Sequence, residues 1–353
     1  MTSHKKIGIV TFHKTTSYGA MLQSYALLQT MKKLFPTSTV GLIDLYPKRF
    51  ARHSNDKNYH LFYDFSQRFL PTITAENETL QGCLQNVKEN NEPVTDLLCG
   101  SDQIWNPRIV KECLRDYFMY GNLGNVNKYS FAASFGVSEL ETDSESARII
   151  TEALSSYRKI SVRESSGIAL CGKFGRYDAV NVLDPTLNAD PAIYSNFLKH
   201  NSFADRVCGF FLAREKYHTE VLKKISNGLC KQPLMLGSKS PFLSFIKSFS
   251  APTVEEFVST ISQSSCVVTD SFHGVCFSII FRRQFVVLPS HRKERFVRIA
   301  ELLQILGLTD RVADDYRQAS QIALRAINYD KVHMILAAER QRGWDFLRQC
   351  FAE

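Results

Sequence analysis

Two short stretches of the sequence concentrate side chains that can do chemistry. The first, residues 270–274, reads Asp-Ser-Phe-His-Gly and follows an apolar run that is typical of a buried strand. Open α/β sheets build ligand sites from loops of this kind, where a glycine admits a close ligand and the next helix offers N–H groups to an anion. His273 is the best single candidate for proton transfer, because imidazole titrates near neutrality. Taken alone, the stretch favours a structural strand–helix turn whose histidine satisfies a backbone carbonyl.

The second stretch, residues 100–107, reads Gly-Ser-Asp-Gln-Ile-Trp-Asn-Pro and also follows an apolar run. It carries more polar groups than a turn needs for its own hydrogen bonds, which favours a binding site. The alternative is that Asp102 caps a helix and Trp105 packs in the core. Asp102 and Asp270 are candidate bases or orienting groups. Cations that suit an anionic ligand are Arg163, Arg292, Arg295 and His273.

The chain alternates strand-like and helix-like segments, with polar residues where the strands end. This alternation predicts an α/β fold with mainly parallel sheets, arranged as two Rossmann-like domains facing a central cleft. Such a cleft suits an enzyme that joins two substrates, one held by each half. We place an N-terminal domain at 1–195 with an inserted region at 47–95, a C-terminal domain at 205–325, and C-terminal helices packing back at 326–353.

Length and composition narrow the class of protein. The 353 residues suit two domains, and 44% apolar with 22% charged residues is normal for a globular protein. No run reaches the roughly 18–20 apolar residues that span a bilayer, and no signal peptide is evident, so we expect a cytoplasmic protein. Nine scattered cysteines indicate buried thiols rather than disulfides or a metal site. The net charge of +8 suits an anionic substrate or acidic lipid headgroups, and no motif supports nucleic-acid binding.

An ordered set of motifs resembles the polysaccharide pyruvyl transferase family. The likeness spans roughly residues 5–310 and is carried by the set rather than by one motif. Its parts are Thr11-Phe12-His13 with Ser17-Tyr18-Gly19-Ala20-Met21-Leu22-Gln23, then residues 100–107, 130–136, 161–164, 182–185, 269–274 and 295–308.

The resemblance implies a fold like that of GT-B glycosyltransferases. It also implies transfer of pyruvate from phosphoenolpyruvate to two hydroxyls of a sugar, as a cyclic ketal, in a surface polysaccharide or its lipid-linked precursor. Phosphoenolpyruvate would be a co-substrate, with no cofactor and no metal, and the enzyme would work in the cytoplasm or at the inner face of the membrane. No oligomeric state is implied.

The resemblance also suggests roles for individual residues, with the acceptor in the N-terminal domain and the donor in the C-terminal one. His273 would act as general acid or hold the donor's charge, while Arg163 and Arg295 clamp the donor. Some relatives carry an arginine at the position of Ser271, so another arginine must meet that charge here. The donor side would also include Ser271, Gly274 and Arg292. The acceptor side would comprise Ser17, Tyr18, Gly19, Ser101, Gln103 and Asn106, with Trp105 stacking on the sugar and Asp102 orienting it.

Two other functions stay open at this point. A GT-B-like glycosyltransferase that uses a nucleotide sugar would share the fold but not the chemistry. The absence of a Walker loop and of an Asp-x-Asp motif near a strand end weighs against a nucleotide–metal complex. A glycan-binding protein with a decayed site is the least favoured reading, because the polar loops hold more reactive groups than binding requires.

Overall fold

The structure is a computed structural model that describes residues 5–48, 50, 56–88, 92–200, 202–213, 215–237, 246–289 and 293–352. Side chains are described for all of these except residues 293–295. The chain divides into two compact units. The first comprises Met1–Asp190 with Glu339–Glu353, and the second comprises Pro191–Ala338. The sequence-based boundaries were 1–195 and 205–325, and the C-terminal segment predicted at 326–353 divides between the units.

The first unit is built on a parallel sheet of short, buried strands. The strand order is β2-β1-β3-β4-β5-β6. Because helices follow the strands, both faces are covered, and the strands read as apolar runs rather than as alternating patterns. The order reverses at β1, so the carboxyl ends of β1 and β3 diverge into different loops. The strands are β1 (Lys6–Val10), β2 (Thr39–Leu42), β3 (Asp96–Cys99), β4 (Asn127–Ala133), β5 (Lys159–Val162) and β6 (Val180–Asn181).

Several helices of the first unit begin at polar capping residues. Ser17 caps the longest of those that lie wholly in this unit, and its Oγ accepts from the N–H of Ala20. The inserted region is part of this unit: Phe62 and Phe65 are buried, and Phe65 packs 6.0 Å from the ring of Tyr25. The helices are α1 (Tyr18–Leu34), α2 (Tyr59–Phe69), α3 (Leu80–Gln85), α4 (Pro107–Val110), α5 (Leu114–Tyr117), α6 (Ser144–Ser155), α7 (Ser165–Lys173) and α8 (Pro185–Asn188).

The second unit repeats the plan with a smaller parallel sheet of order β11-β10-β7-β8-β9. Here the order reverses at β7, beside β10. Its strands are β7 (Val207–Phe210), β8 (Pro233–Leu236), β9 (Lys247–Phe249), β10 (Cys266–Thr269) and β11 (Gln284–Val287). Its helices are α9 (Lys216–Gly228), α10 (Val254–Ser262), α11 (Phe272–Ile280), α12 (Lys293–Ile305) and α13 (Tyr316–Leu324), followed by α14 (Tyr329–Phe351), which continues into the first unit.

Local sequence signals account for several of these boundaries. The predicted capping box of α10 is confirmed, since the Thr253 side chain accepts from the N–H of Glu256 and the Glu256 side chain from that of Thr253. Gly307, predicted to close α12, has a left-handed φ of 66°. Eight of the nine cysteines are buried, and Cys230 is exposed. None of the described helices is long and apolar enough to cross a membrane.

Replacing Gly274 with alanine is expected to destabilise the second unit by about 1–3 kcal/mol, because there is no room for the methyl group. A Cβ at Gly274 would lie 2.5 Å from Thr269 Oγ1 and 3.2 Å from Thr269 Cβ. Urea unfolding measures the effect. Gly228→Ala is the matched control in α9, where nothing lies within 4 Å, and should leave stability unchanged or raise it by up to about 1 kcal/mol. Equal effects of both substitutions would contradict this account.

Candidate functional site

A cavity of about 210 Å³ opens at the carboxyl edge of the first sheet, where the loops after β1 and β3 part. This is the switch point at which open α/β sheets bind ligands. Its aromatic walls are Phe12, Tyr46, Phe50 and Tyr117, and its polar lining is His13, Lys14, Thr15, Ser17 and Asp102. Apolar walls with a few convergent polar groups are typical of a small-molecule site.

Asp102 presents a carboxylate to this cavity from a constrained backbone. Its φ of 71° is left-handed, a conformation that aspartate tolerates better than most residues. The N–H of Gln103 donates to Asp102 Oδ1 at 2.9 Å, and the N–H of Ser134 donates to the Asp102 carbonyl at 3.1 Å. The side chain is 16% exposed. The structure thus places this predicted catalytic residue in a cavity wall.

Arg163, predicted as a donor clamp, is instead buried behind Asp102. Its side chain is 1% exposed, and Nη1 donates to Asp184 Oδ2 at 2.6 Å. Nη2 lies 3.7 Å from Asp102 Oδ1, and Nε lies 3.8 Å from Glu164 Oε2. Burial disfavours the charged guanidinium, but the three carboxylates outweigh it and raise the pKa of Arg163 above its usual value. Ser101, predicted on the acceptor side, is fully buried and donates to Asp184 at 3.2 Å.

Trp105 does not serve as a sugar platform in this structure. It is 0% exposed, stacks at 5.4 Å on Phe118 with planes 14° apart, and meets Tyr157 edge-on at 5.7 Å. An indole with no exposed face cannot stack on a sugar ring, so the packing alternative replaces the stacking prediction. The aromatic surface of the cavity comes from other residues, for which no site role was predicted, although Phe12 belongs to one of the family motifs.

The other predicted acceptor residues divide between the cavity and the scaffold. Ser17 lines the cavity. Gln103 Oε1 accepts from Asn106 Nδ2 at 3.1 Å, and Asn106 caps α4 by accepting from the N–H of Arg108. Tyr18 packs at 4.9 Å against the ring of Phe62, and Gly19 is buried in α1. Gln103 and Asn106 therefore have structural partners of their own.

A cluster of charged residues at the cavity was missed at the sequence level. Lys14 Nζ lies 2.5 Å from Asp44 Oδ1 and 2.6 Å from Glu76 Oε2. His13 lies between two acceptors, with Nδ1 3.1 Å from the Thr11 carbonyl and Nε2 3.3 Å from Asp44 Oδ1. His13 belongs to the Thr11-Phe12-His13 motif, but no site role was predicted for His13 or Lys14, since their carboxylate partners come from distant segments.

These contacts shift the titration of both partners. Burial raises the pKa of Asp44, but hydrogen bonds from His13 and Lys14 outweigh burial and bring it down to about 2. For Lys14 the effects are reversed: burial lowers its pKa, but the carboxylates of Asp44 and Glu76 outweigh burial and raise the pKa above its usual value. Lys14 therefore stays charged while its charge is taken up by Asp44 and Glu76.

We expect Asp44→Asn to lower the free energy of unfolding at neutral pH. We also expect this free energy to decrease less in acid than it does in wild type. The folded-state pKa of about 2 lies below the ordinary value of 3.8. The stabilisation is therefore complete above about pH 4 and is lost as the pH falls toward about 2. Urea unfolding at about pH 5 and about pH 3 measures the difference, with exposed Asp64→Asn as control. If the free energy of unfolding fell by the same amount in wild type and Asp44→Asn between these pH values, the proposed contribution of the Asp44 ion pair to stability would be contradicted.

In the second unit, the predicted loop lies at the equivalent switch point, between β7 and β10. Asp270 is 5% exposed and accepts the N–H groups of Leu212 at 2.6 Å and Ala213 at 2.8 Å, so it fixes the loop after β7. Burial raises the pKa of Asp270 although both N–H groups favour the carboxylate. His218 Nδ1 lies 3.1 Å from the carbonyl of Ala213 in the same loop. Asp270 thus has a positioning task that the prediction of a base did not include.

The N-terminus of α11 carries three of the residues that were predicted for the donor side. Ser271 caps the helix, and its Oγ accepts from the N–H of Gly274 at 3.4 Å. His273 is half-buried, with its ring edge-on to Phe272 at 5.3 Å. Ser271, His273 and Gly274 are therefore together at the helix N-terminus. Arg292 lies outside the described residues, and so does the side chain of Arg295.

A family model for polysaccharide pyruvyl transferases matches residues 18–292, well over half of the chain. The chain belongs to the polysaccharide pyruvyl transferase family. The family resemblance predicted from the motifs is thereby confirmed, and the matched range includes both candidate loops. No curated protein matches the sequence significantly.

Solved structures show the fold class. The chain is similar to the UDP-GlcNAc 2-epimerase of Methanocaldococcus jannaschii in complex with UDP-GlcNAc and UDP, at 11% identity over 98% of each chain and a TM-score of 0.52. It is also similar to S. aureus MnaA with UDP, at 11% identity over 98% of this chain and 96% of that one, with a TM-score of 0.56. A UDP-glucosyltransferase from Polygonum tinctorium gives 10% identity over 100% of each chain and a TM-score of 0.52. These likenesses show a GT-B fold with two Rossmann-like domains, as predicted.

Proposed function

We propose that this protein transfers pyruvate from phosphoenolpyruvate to two hydroxyls of one sugar and forms a cyclic ketal. The observation that carries the proposal is the carboxylate of Asp102 at an aromatic-walled cavity, in a chain of the pyruvyl transferase family. Aromatic faces suit sugar rings, and a carboxylate accepts protons or hydrogen bonds from hydroxyls. The acceptor is a sugar of a surface polysaccharide or of its lipid-linked precursor.

The reaction balances without an oxidant or a cofactor. One sugar hydroxyl adds to C2 of phosphoenolpyruvate while a proton joins the C3 methylene, which becomes a methyl group. The C2–O bond to phosphate then breaks, and the second hydroxyl forms its own bond to C2. Of the two hydroxyl protons, one balances the proton gained by C3, and the other leaves with inorganic phosphate. The protein must therefore supply a base near the hydroxyls and an acid near C3.

Charge favours the first unit as the acceptor side. Phosphoenolpyruvate carries a carboxylate and a phosphate, and the carboxylates of the first unit repel both of these negative groups. A neutral sugar instead donates hydrogen bonds to carboxylates. Among the residues that the structure describes in or directly behind the cavity wall, Lys14 is faced by Asp44 and Glu76, and Arg163 is faced by Asp102, Glu164 and Asp184. Asp102 is the proposed base, since it is the member of the second group that lines the cavity.

The second unit is the proposed donor side. The N-terminus of α11 offers N–H groups and a positive dipole end to an anion, and Ser271 and Gly274 lie in its cap and first turn. His273 in that turn is the proposed acid for C3. Asp270 fixes the neighbouring loop, so we assign it to positioning. Arg292 and Arg295 remain the proposed clamps for the donor's charge.

One assay separates this function from nucleotide-sugar transfer. The full chain is incubated with a galactoside acceptor and either phosphoenolpyruvate or a set of UDP-sugars, and phosphate release and the mass of the acceptor are followed. Equimolar phosphate release with a mass gain of one pyruvate ketal supports the proposal. Transfer of a sugar from a UDP-sugar, with no product from phosphoenolpyruvate, would support the glycosyltransferase alternative. Binding of the galactoside without any product would instead support a glycan-binding role.

A further inference from the structure

Arg163 has no surface with which to contact a substrate. Its side chain is 1% exposed, and its three nitrogens face three carboxylates of the same unit. The hydrogen bond from Nη1 to Asp184 at 2.6 Å orients the guanidinium, whereas the contacts with Asp102 at 3.7 Å and Glu164 at 3.8 Å are ion pairs that act through charge. A donor anion would have to compete with all three.

The three carboxylates differ in how they are held. Asp184 accepts from the N–H and hydroxyl of Thr186 at 2.9 and 2.7 Å. Glu164 Oε1 accepts from the Ser134 hydroxyl at 2.8 Å and from the N–H of Phe135 at 3.1 Å. Their side chains are 0% and 2% exposed. Both are anchored inside the protein, and neither is among the residues that line the cavity.

Asp102 is the member of this group that reaches the cavity. Its side chain is 16% exposed, and within the part of the chain that the structure describes it accepts one hydrogen bond, from the N–H of Gln103 in its own loop. Arg163 is therefore a bridge between two anchored carboxylates and one that faces the cavity.

The backbone beside Asp102 is held in an unusual conformation as well. Asp102 pairs with Ala133 of β4, in the stretch where the register between β4 and β5 shifts. Ala132 has a left-handed φ of 53°, and its N–H donates to the hydroxyl of Ser161 at 3.1 Å. Bulges next to active sites commonly re-aim a side chain. Ser161 lies two residues before Arg163, so β5 supports both the bulge and the guanidinium.

We propose that Arg163 is a positioning residue that holds the carboxylate of Asp102 at the cavity wall and does not bind phosphoenolpyruvate. This inference rests on the proposed function, and it replaces the donor-clamp role that the sequence suggested for Arg163. Asp184 and Glu164 hold Arg163 in place, and Arg163 in turn holds the carboxylate of Asp102.

The test is Arg163→Lys, because lysine keeps the charge but cannot span the same carboxylates with one compact ammonium. The turnover number should fall by about tenfold or more, while KM and the calorimetric Kd for phosphoenolpyruvate stay within about twofold of wild type. Arg148→Lys, at an exposed ion pair of α6 with Glu152, is the matched control and should leave all three unchanged. A tenfold rise in both KM and Kd with little change in turnover would overturn the inference.

A double-mutant cycle adds a second readout. If Arg163 acts through Asp102, Arg163→Lys should cause no further loss of turnover in a protein that already carries Asp102→Asn. If the losses of turnover caused by the two single substitutions multiplied in the double variant, the inference would be overturned. If Arg163→Lys does not fold, Arg163→Gln with Asp184→Asn removes the buried pair together and takes its place. A wild type that forms no product from phosphoenolpyruvate contradicts the proposed function, whereas an active wild type with a donor-binding defect in the variant contradicts this inference alone.

Discussion

Asp102→Asn should reduce the turnover of pyruvyl transfer by about 10²–10⁴-fold, the usual contribution of a general base. Asparagine tolerates the left-handed backbone that Asp102 adopts, and its carbonyl can still accept from the N–H of Gln103. The variant should therefore fold and bind phosphoenolpyruvate normally while it lacks a group that can take a proton from the sugar. Turnover is measured by phosphate release at saturating donor and acceptor.

The control for this substitution is Asp178→Asn. Asp178 lies in the same unit, and its side chain is 60% exposed and paired with Arg176. Its substitution should leave turnover unchanged. Thermal unfolding of both variants separates loss of chemistry from loss of fold. An Asp102→Asn protein that works within about threefold of wild type would remove the proposed base.

His273→Gln is expected to have an effect of similar size, about 10²–10⁴-fold on turnover. Glutamine keeps a hydrogen-bonding end but cannot deliver a proton to carbon. The cap by Ser271 and the packing of Gly274 against Thr269 are untouched, so α11 should keep its N-terminus. Phosphate release by the variant, with its KM for phosphoenolpyruvate, measures the effect.

The pattern of kinetic change decides which role His273 has. Loss of turnover with an unchanged KM for phosphoenolpyruvate assigns proton transfer to the imidazole. A raised KM with normal turnover would assign it instead to holding the donor's charge, and would contradict the acid role. His200→Gln, at an exposed position of the same unit, should leave both quantities as in wild type.

Strand ends were the part of this protein that local sequence predicted well. The apolar runs before residues 100–107 and 270–274 form β3 and β10, and the capping box of α10 lies where its residues indicate. These features depend on periodicity and on short-range hydrogen bonds, which neighbouring residues encode. The family motifs likewise lead to loops at both switch points.

Partners from distant segments are what the sequence could not supply. Trp105 sits in the most polar loop of the chain, yet its ring packs on Phe118 and Tyr157. Arg163 follows a strand end, as a ligand-binding arginine would, but Asp184 reaches it from 21 residues further on. Lys14 meets Asp44 and Glu76 only because β1 and β2 pair and the inserted region packs beside them. Burial and charge pairing are properties of the assembled sheet, so residue type alone misassigned these side chains.

The most direct test of the central claim uses phosphoenolpyruvate labelled with carbon-13 at C2, followed by NMR of the purified product. The proposed reaction places the label in a carbon that bears a methyl group and shows three-bond correlations to protons on two different sugar carbons. Asp102→Asn should form this product about 10²–10⁴-fold more slowly than wild type. A label joined to one sugar oxygen with its methylene retained would contradict ketal formation. An unlabelled product made only from a UDP-sugar would contradict pyruvyl transfer altogether.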